Sequence, residues 1–485
     1  MKKKLLIIVA IIAALPMVYS FCGFYVSKAD GTIKNKTSQV ILVRDGNKSV
    51  ITMYNDFKGD VKDFAMVVPV PVVLQKSDIK VTDNGIFRRL NDYSAPRLVE
   101  YFDENPCEQR IMEDKVYSMA PMSESNKDAG ILKKNKSLGV TVEASYTVGE
   151  YDILILSAKE SSGLKTWLTD NGYKIPKGAE EVLEPYIKSN LKFFVVKVNV
   201  KEKEKTGLEN LRPIQIKFNS SKFMLPIRLG MANADGDQDM IIYAFTRQGR
   251  IETTNYRTVA LPTGKNIPLF VKKNFSDFYT NLFRYQWKKE DERIVFLEYA
   301  WDVSPSNYVK CDPCVSTPPD NNDLTTAGVW WLANNDEDYI NGTEPGGGVY
   351  FTRLHVRYNR SAFPQDLSFQ VTPNTENFQA RYIVTHPATG SFNCTEGKKY
   401  LTDLKERRRK ELNMLASLTG KDAGDWNITL NDEENMNITA DVSYSHLSLI
   451  SPDELKKTES NSTEKIILAS AVILGCISAV KYKGR

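Results

Sequence analysis

SQVILVRDGNKSVITMYNDF, residues 38–57, holds two short runs rich in β-branched residues, Gln39 to Val43 and Ser49 to Tyr54. Asp45-Gly46-Asn47-Lys48 between them is turn material, so the stretch predicts a β-hairpin. The next run, DFAMVVPVPVV at 63–73, is apolar but carries Pro69 and Pro71. Proline removes a ladder donor, so this run predicts an edge strand or an extended segment leaving a sheet. Residues 83–102 carry leucine and aromatic spacing suited to one or two short helices, and 119–136 is polar and irregular.

Further along, VTVEASYTVGEYDILILSAKE at 140–160 predicts two strands. Leu164, Trp167 and Leu168 share one helix face that ends at Gly172, and a second short helix follows over 178–190, limited by Pro185. With a strand from Phe193 to Val200, residues 139–200 form an α+β unit. KEKEKTGLENLR at 201–212 predicts a charged turn. Strand signals resume with IQIKF, FMLPIRL, DMIIYAFT and YRTVALP between 214 and 262. Phe275, Phe278, Tyr279 and Phe283 suit a buried helix face, and RIVFLEYAW at 293–301 is a strand. FTRLHVRY at 351–358 alternates, with Leu354, Val356 and Tyr358 on one face and Arg353, His355 and Arg357 on the other. A last helix, over 400–420, stops at Gly420 and pairs Glu406 with Lys410 at i+4.

The fold class that follows is α+β: mixed or antiparallel sheets with short packed helices, braced by disulfides, plus a signal peptide and a C-terminal membrane helix. The expected divisions are 1–20 signal peptide, 21–136 strand-rich unit, 139–200 α+β unit, and 208–450 strand-rich unit with a long loop and a helix. Then come 451–465 polar linker, 466–480 transmembrane segment and 481–485 cytoplasmic tail.

The termini carry the localisation argument. Lys2, Lys3 and Lys4 precede an apolar stretch from Leu5 to Val18, and Val18 and Ser20 precede a plausible cleavage point before Phe21. Fourteen apolar residues cover about 21 Å as helix, short of a bilayer core, which favours a cleaved signal over an anchor. At the other end, Ile466 to Val480 spans about 22 Å between Lys465 and Lys481, whose stems can reach an interface. Lys481, Lys483 and Arg485 supply a positive inside flank. The reading is an exported single-pass protein with membrane lipid as partner. An apolar helix docked on the body is the alternative.

Six cysteines occur: Cys22, Cys107, Cys311, Cys314, Cys394 and Cys476. Cys476 lies in the terminal apolar run, which leaves five disulfide candidates whose pairing sequence does not assign. Cys311-Asp312-Pro313-Cys314 sits in turn material on both sides, which favours a structural bridge over a redox pair or a zinc half-site.

The net charge is +4; removing Lys2, Lys3 and Lys4 leaves +1, and removing Lys481, Lys483 and Arg485 leaves −2. A near-neutral body argues against nucleic-acid binding. Candidate binding residues are Trp330 and Trp331, in the irregular region 307–348, and Arg353, His355 and Arg357, a cationic strip on one face of its strand. Asn233, Asp235, Asp237 and Asp239 alternate as weak calcium ligands, with a glycine misplaced for an EF-hand loop. No GxSxG, HExxH, P-loop or dinucleotide fingerprint is present, no catalytic residue is assigned, and no cofactor is implied.

Several stretches together resemble a bacterial family of exported proteins catalogued as domain of unknown function 2330. They are Cys22-Gly23, DFAMVVPVP, VGEYDILILSA running into WLTDNGYKIP, LRPIQIKF, EYAWDVS leading to Cys311 and Cys314, and FTRLHVRY continuing to FPQDLSFQ and FQARYIVTHP. They cover the chain from about Cys22 to Leu418. The resemblance implies export, association with the cell envelope and a body without assigned catalytic residues. Where relatives tend to carry a second cysteine near Cys22, this chain has Gly-Phe-Tyr-Val-Ser. The combined expectation is an envelope-anchored binding or structural protein with a possible envelope protein partner. The alternative is an extracytoplasmic enzyme, a hydrolase or a thiol-redox protein.

Overall fold

Ser38–Asp45 and Lys48–Tyr54 pair antiparallel, with Asp45 opposite Lys48 and Gly46 at φ +53° in the turn. Glycine is the residue that adopts this left-handed conformation without strain. The computed structural model describes residues 24–25, 38–54, 65–108, 136–137, 140–171, 173, 179–207, 211–231, 236–307, 310–333, 347–422 and 426. These divide into two units, one formed by 1–99, 114–265 and 276–383, the other by 100–113, 266–275 and 384–485.

In the first unit the hairpin lies inside a nine-stranded sheet. Its order is Arg257–Ala260, Ile294–Asp302, Tyr350–Tyr358, Gln238–Thr246, Ser38–Asp45, Lys48–Tyr54, Ile214–Asn219 and Ile79–Val81, with Phe378–Gln379 also on Ile294–Asp302. Two of its pairings are parallel, Gln238–Thr246 with Ser38–Asp45 and Arg257–Ala260 with Ile294–Asp302, so the sheet is mixed. A six-stranded antiparallel sheet runs Phe24–Tyr25, Ala65–Val70, Lys192–Val198, Tyr151–Ala158, Val140–Val148 and Lys136–Ser137.

Alternation along the strands builds three apolar layers. Val40, Leu42, Ile51 and Met53 from the larger sheet pack with Met66, Val68, Ile153 and Ile155 from the smaller one in a single cluster. On the far face of the smaller sheet, Leu164 and Trp167 of the helix Ser161–Asp170 and Leu183 and Tyr186 of Ala179–Lys188 cover Val67, Phe193 and Val195. On the far face of the larger sheet, Ile86, Phe87 and Leu90 of Gly85–Ser94 join Leu324 of Asn321–Ala327 over Ile41, Val43 and Tyr243. Each fully buried aliphatic side chain contributes about 1.5–3 kcal/mol, so the two-sided burial of both sheets dominates their stability.

Several local expectations change. The Ala65–Val70 strand is not at an edge, because Phe24–Tyr25 pairs beyond it. That neighbour reaches only Met66 and Val67, so the donor missing at Pro69 is not needed on that side. Residues 83–102 give one helix, Gly85–Ser94, and then a strand, Arg97–Phe102. The charged turn is a helix, Val200–Thr206, capped by Asn199 accepting from the Glu202 amide and closed by Gly207 at φ +64°. The irregular region contains the helix Asn321–Ala327, started by a reciprocal Asp320–Asp323 capping box.

In the second unit the helix Thr395–Thr419 begins at Cys394, whose Sγ accepts from the Gly397 amide at 3.1 Å. Cys394 is bonded to Cys107. Asp103 receives both Nη1 (3.1 Å) and Nη2 (2.6 Å) of Arg407, together with the Tyr400 hydroxyl at 2.7 Å. Glu406 and Lys410 pair at 2.7 Å along the exposed side.

The mixed α+β class with disulfides therefore stands, and the C-terminal membrane helix is corrected. Among the described residues no helix is long and apolar enough to cross a membrane. The apolar run 466–480 lies outside the described residues, as do the signal segment 1–20, Cys22, the linker 451–465, the tail 481–485 and Cys476. The lipid partner, the single-pass topology and the envelope anchoring rested on that helix and go with it.

Candidate functional site

The strand Tyr350–Tyr358 places Leu354 and Val356 in the layer between the sheets, and Arg353, His355 and Arg357 on the opposite face, as its alternation requires. That face is covered rather than solvated. The helix Phe275–Lys289 lies against it, with the Phe283 ring 4.1 Å from the His355 ring and the Arg357 guanidinium 5.1 Å from Phe283.

Carboxylates from the two flanking strands meet the cations. The register of Ile294–Asp302 on Tyr350–Tyr358 shifts between Leu297 and Tyr299, leaving Glu298 as the extra residue of a bulge. Its Oε2 receives Arg353 Nε at 2.5 Å and its Oε1 lies 2.8 Å from His355 Nδ1. The Tyr279 hydroxyl donates to the same Oε1. On the other side Asp239 sits directly opposite Arg357 and takes Nε at 2.9 Å and Nη2 at 2.7 Å. His355 Nε2 is 3.5 Å from Asp239 Oδ1, too long for a hydrogen bond.

Burial opposes ionisation of Glu298, but Arg353 and His355 outweigh it and hold the carboxyl down at about 2. Asp239 is held below the carboxylate range in the same way by His355 and Arg357. Burial alone would push the His355 imidazole down; Glu298 and Asp239 overcome it and raise it. Tyr279 is pushed well up, first by burial and then by Glu298. Two carboxylates thus face two guanidinium groups and an imidazole, each acid already bonded. The cluster clasps three strands and a helix together, and none of its residues lines either cavity described below.

The remaining predicted residues are dispersed. Trp331 is buried in the core beneath Arg247 and donates to the Gly348 carbonyl at 3.2 Å. Trp330 is half-buried under Lys48. Asp239 is committed to Arg357, and Asp237 accepts from Asn359 at 2.8 Å; Asn233 and Asp235 lie outside the described residues. Among the described residues no group of His, Cys, Asp and Glu is arranged to hold a metal ion. Cys311 and Cys314 form a closed bridge in a loop, with Cys311 buried and Cys314 exposed. Tyr93 and Tyr299 hold the loop through the Lys310 carbonyl at 2.6 and 2.7 Å. The bridge lies in a loop and not at a helix start, a position that would activate a thiolate, so this geometry gives the thiol-redox reading no support. The Glu298–Asp239 cluster is closed by its own partners, so it gives the hydrolase reading no open acid–base site.

What sequence did not single out is an apolar slot in the first unit, between the two sheets. Val68 and Val70 form one wall, Ile51 and Ile216 the other, and Met224 and Lys222 border it. Its volume is about 30 Å³, and a smaller cavity of about 10 Å³ shares Ile51, Phe218, Lys222 and Met224 with it. At about 10–15 Å³ per water on this measure, the slot holds two or three waters, or the last three or four carbons of an aliphatic group. It forms where Pro69 and Pro71 carry the chain out of the smaller sheet at Val70.

Comparison with known proteins adds little chemistry. No curated protein matches the chain. A solved structure of a mutated baculovirus P35 after caspase cleavage aligns with 12% identity over 44% of this chain and 66% of that one. Its TM-score of 0.23 carries no argument. The family model described as "Uncharacterized protein conserved in bacteria (DUF2330)" matches residues 16–370, stopping short of FQARYIVTHP and the Thr395–Thr419 helix. With most of its length inside that match, the chain belongs to the DUF2330 family.

Proposed function

We propose that this chain is a ligand-binding protein whose recognition element is the slot between the two sheets, and that it takes up a small aliphatic group there. The observation that supports this reading is an open recess of about 30 Å³ lined mostly by apolar side chains of the layer between the sheets. Pockets for drug-sized ligands measure about 300–1,000 Å³, so the slot suits the end of a ligand rather than a whole one. The charged cluster is a clasp that fixes strand register and contributes no chemistry to binding.

Methyl NMR tests the proposal. Titration with 1-hexanol should shift the methyls of Ile51, Met53, Ile216 and Met224 with saturation, while Leu324 and Leu183, in the other two layers, stay still. Val68→Phe, which fills the slot, should abolish the shifts. Absent shifts, or shifts spread equally over all three layers, would overturn the reading.

A further inference from the structure

We infer that the ligand carries a carboxylate next to its aliphatic end, received by Arg44 and Lys222. This deepens the slot reading and rests on it.

Arg44 lies near the end of Ser38–Asp45 and is only 6% exposed. Its Nη1 donates to Ser49 Oγ at 2.7 Å and to the Asn47 carbonyl at 3.2 Å, and its guanidinium sits 5.1 Å from the Phe223 ring. Ser49 and Phe223 both line the smaller cavity, and Lys222, the residue before Phe223, lines both cavities. Arg44 has no carboxylate partner among the described residues, and its Nε and Nη2 make no hydrogen bond there. The adjacent acid, Asp45, is taken by Arg247 at 2.6 Å.

Other buried or half-buried arginines of the unit are treated differently. Arg353 has Glu298, Arg228 has Asp366 and Arg212 has the fully buried Glu150. Arg97, which lacks an acid, donates to the carbonyls of Pro313, Ala95 and Tyr93. A buried cation without a counter-charge is costly unless something pairs with it. Burial lowers the Arg44 pKa with nothing opposing it. The missing anion belongs on the cavity side, because Arg44 touches two residues of its wall. Lys222 is exposed at the same border, and its side chain has no partner among the described residues. An aliphatic end in the slot therefore brings a carboxylate to a free guanidinium edge and an ammonium group, the arrangement that charge-assisted hydrogen bonds favour.

The full chain is titrated by calorimetry and methyl NMR with hexanoate, 1-hexanol, hexylammonium and N-acetyl-leucine. Hexanoate should bind at least tenfold more tightly than 1-hexanol, and hexylammonium more weakly than either. Arg44→Met should weaken hexanoate about tenfold to a hundredfold while 1-hexanol is unchanged, since charged hydrogen bonds are lost and the apolar wall is kept. Lys222→Ala, at an exposed site that folding does not need, should weaken hexanoate about twofold to fivefold. Binding of N-acetyl-leucine in preference to hexanoate would also support the carboxylate and mark its source as a peptide end. Equal binding of hexanoate and 1-hexanol, in wild type and in both variants, would overturn the inference and leave the slot reading intact. Failure of every probe would overturn the slot reading itself.

Discussion

Replacing Glu298 by glutamine keeps the shape of the clasp and removes the charge at its centre. The Glu298 side chain is fully buried and that of Arg353 is 6% exposed, so the substitution leaves a guanidinium in low dielectric without its anion. Breaking one side of a buried pair costs about 3–5 kcal/mol. The carboxyl's own pKa gives a similar size: a fall from 4.5 to about 2 corresponds to about 3 kcal/mol favouring the charged form in the fold. Glu298→Gln should therefore lower the urea midpoint at pH 7 by an amount equivalent to about 3 kcal/mol, with the slope unchanged. Because the folded pKa is depressed, the contribution is complete above about 4.5 and is lost as pH falls towards about 2. The gap between wild type and variant must narrow over that window. Glu298→Met combined with Arg353→Met removes both charges and should cost less than Glu298→Gln alone, since a paired deletion leaves no orphan. A single-variant loss below about 1 kcal/mol, or a double variant worse than the single, would refute the reasoning.

His355, whose pKa is raised, stabilises the fold fully below its unfolded value, and that stability is lost as pH rises through the raised one. The wild-type advantage over His355→Gln should therefore be larger at pH 6 than at pH 9 in urea unfolding. Glu411 is 6% exposed, and burial, only partly offset by Arg407 and Arg408, raises it to about 7. Its charge is a cost that grows as pH climbs from about 4.5 to about 7, so Glu411→Gln should stabilise by about 2–3 kcal/mol at pH 8 and by little at pH 4, read by the same unfolding assay. The two disulfides should differ. Cys107 and Cys394 are 287 positions apart and Cys311 and Cys314 only 3, so alanine pairs should cost about 5–6 and about 2 kcal/mol respectively in reversible denaturation.

Much of the first unit was legible because its strands are short, β-branched and bounded by turns. The hairpin at Ser38–Tyr54, both strands after Val140 and the Phe275–Lys289 helix follow from period alone. The failures have particular causes. Residues 97–102 read as helix because RLVEYF has no strict alternation, and 200–206 read as a turn because charge hides a capped helix. The cationic face of Tyr350–Tyr358 was visible, but its partners were not. Asp239 lies more than a hundred residues away, and Glu298 is aimed by a bulge that no local pattern announces. A signal for Glu298 did exist: one carboxylate inside RIVFLEYAW, an otherwise apolar strand, implies a buried counter-charge. The slot was illegible, because a gap between two sheets depends on which distant strands face each other, and Arg44 looks like any strand arginine until its surroundings are known.

The bond between Cys107 and Cys394 turns the chain between them, and with it six of the nine strands of the larger sheet, into a covalent ring. A protease that cuts once anywhere inside that ring frees no fragment: the chain keeps its mass on a non-reducing gel and separates into two bands only after thiol is added. Gly397 guards the closure, since a β-carbon there would stand 2.6 Å from Cys107 Sγ and 2.8 Å from the Phe392 carbonyl. One added methyl at that position would press directly on the link that keeps a nicked molecule whole.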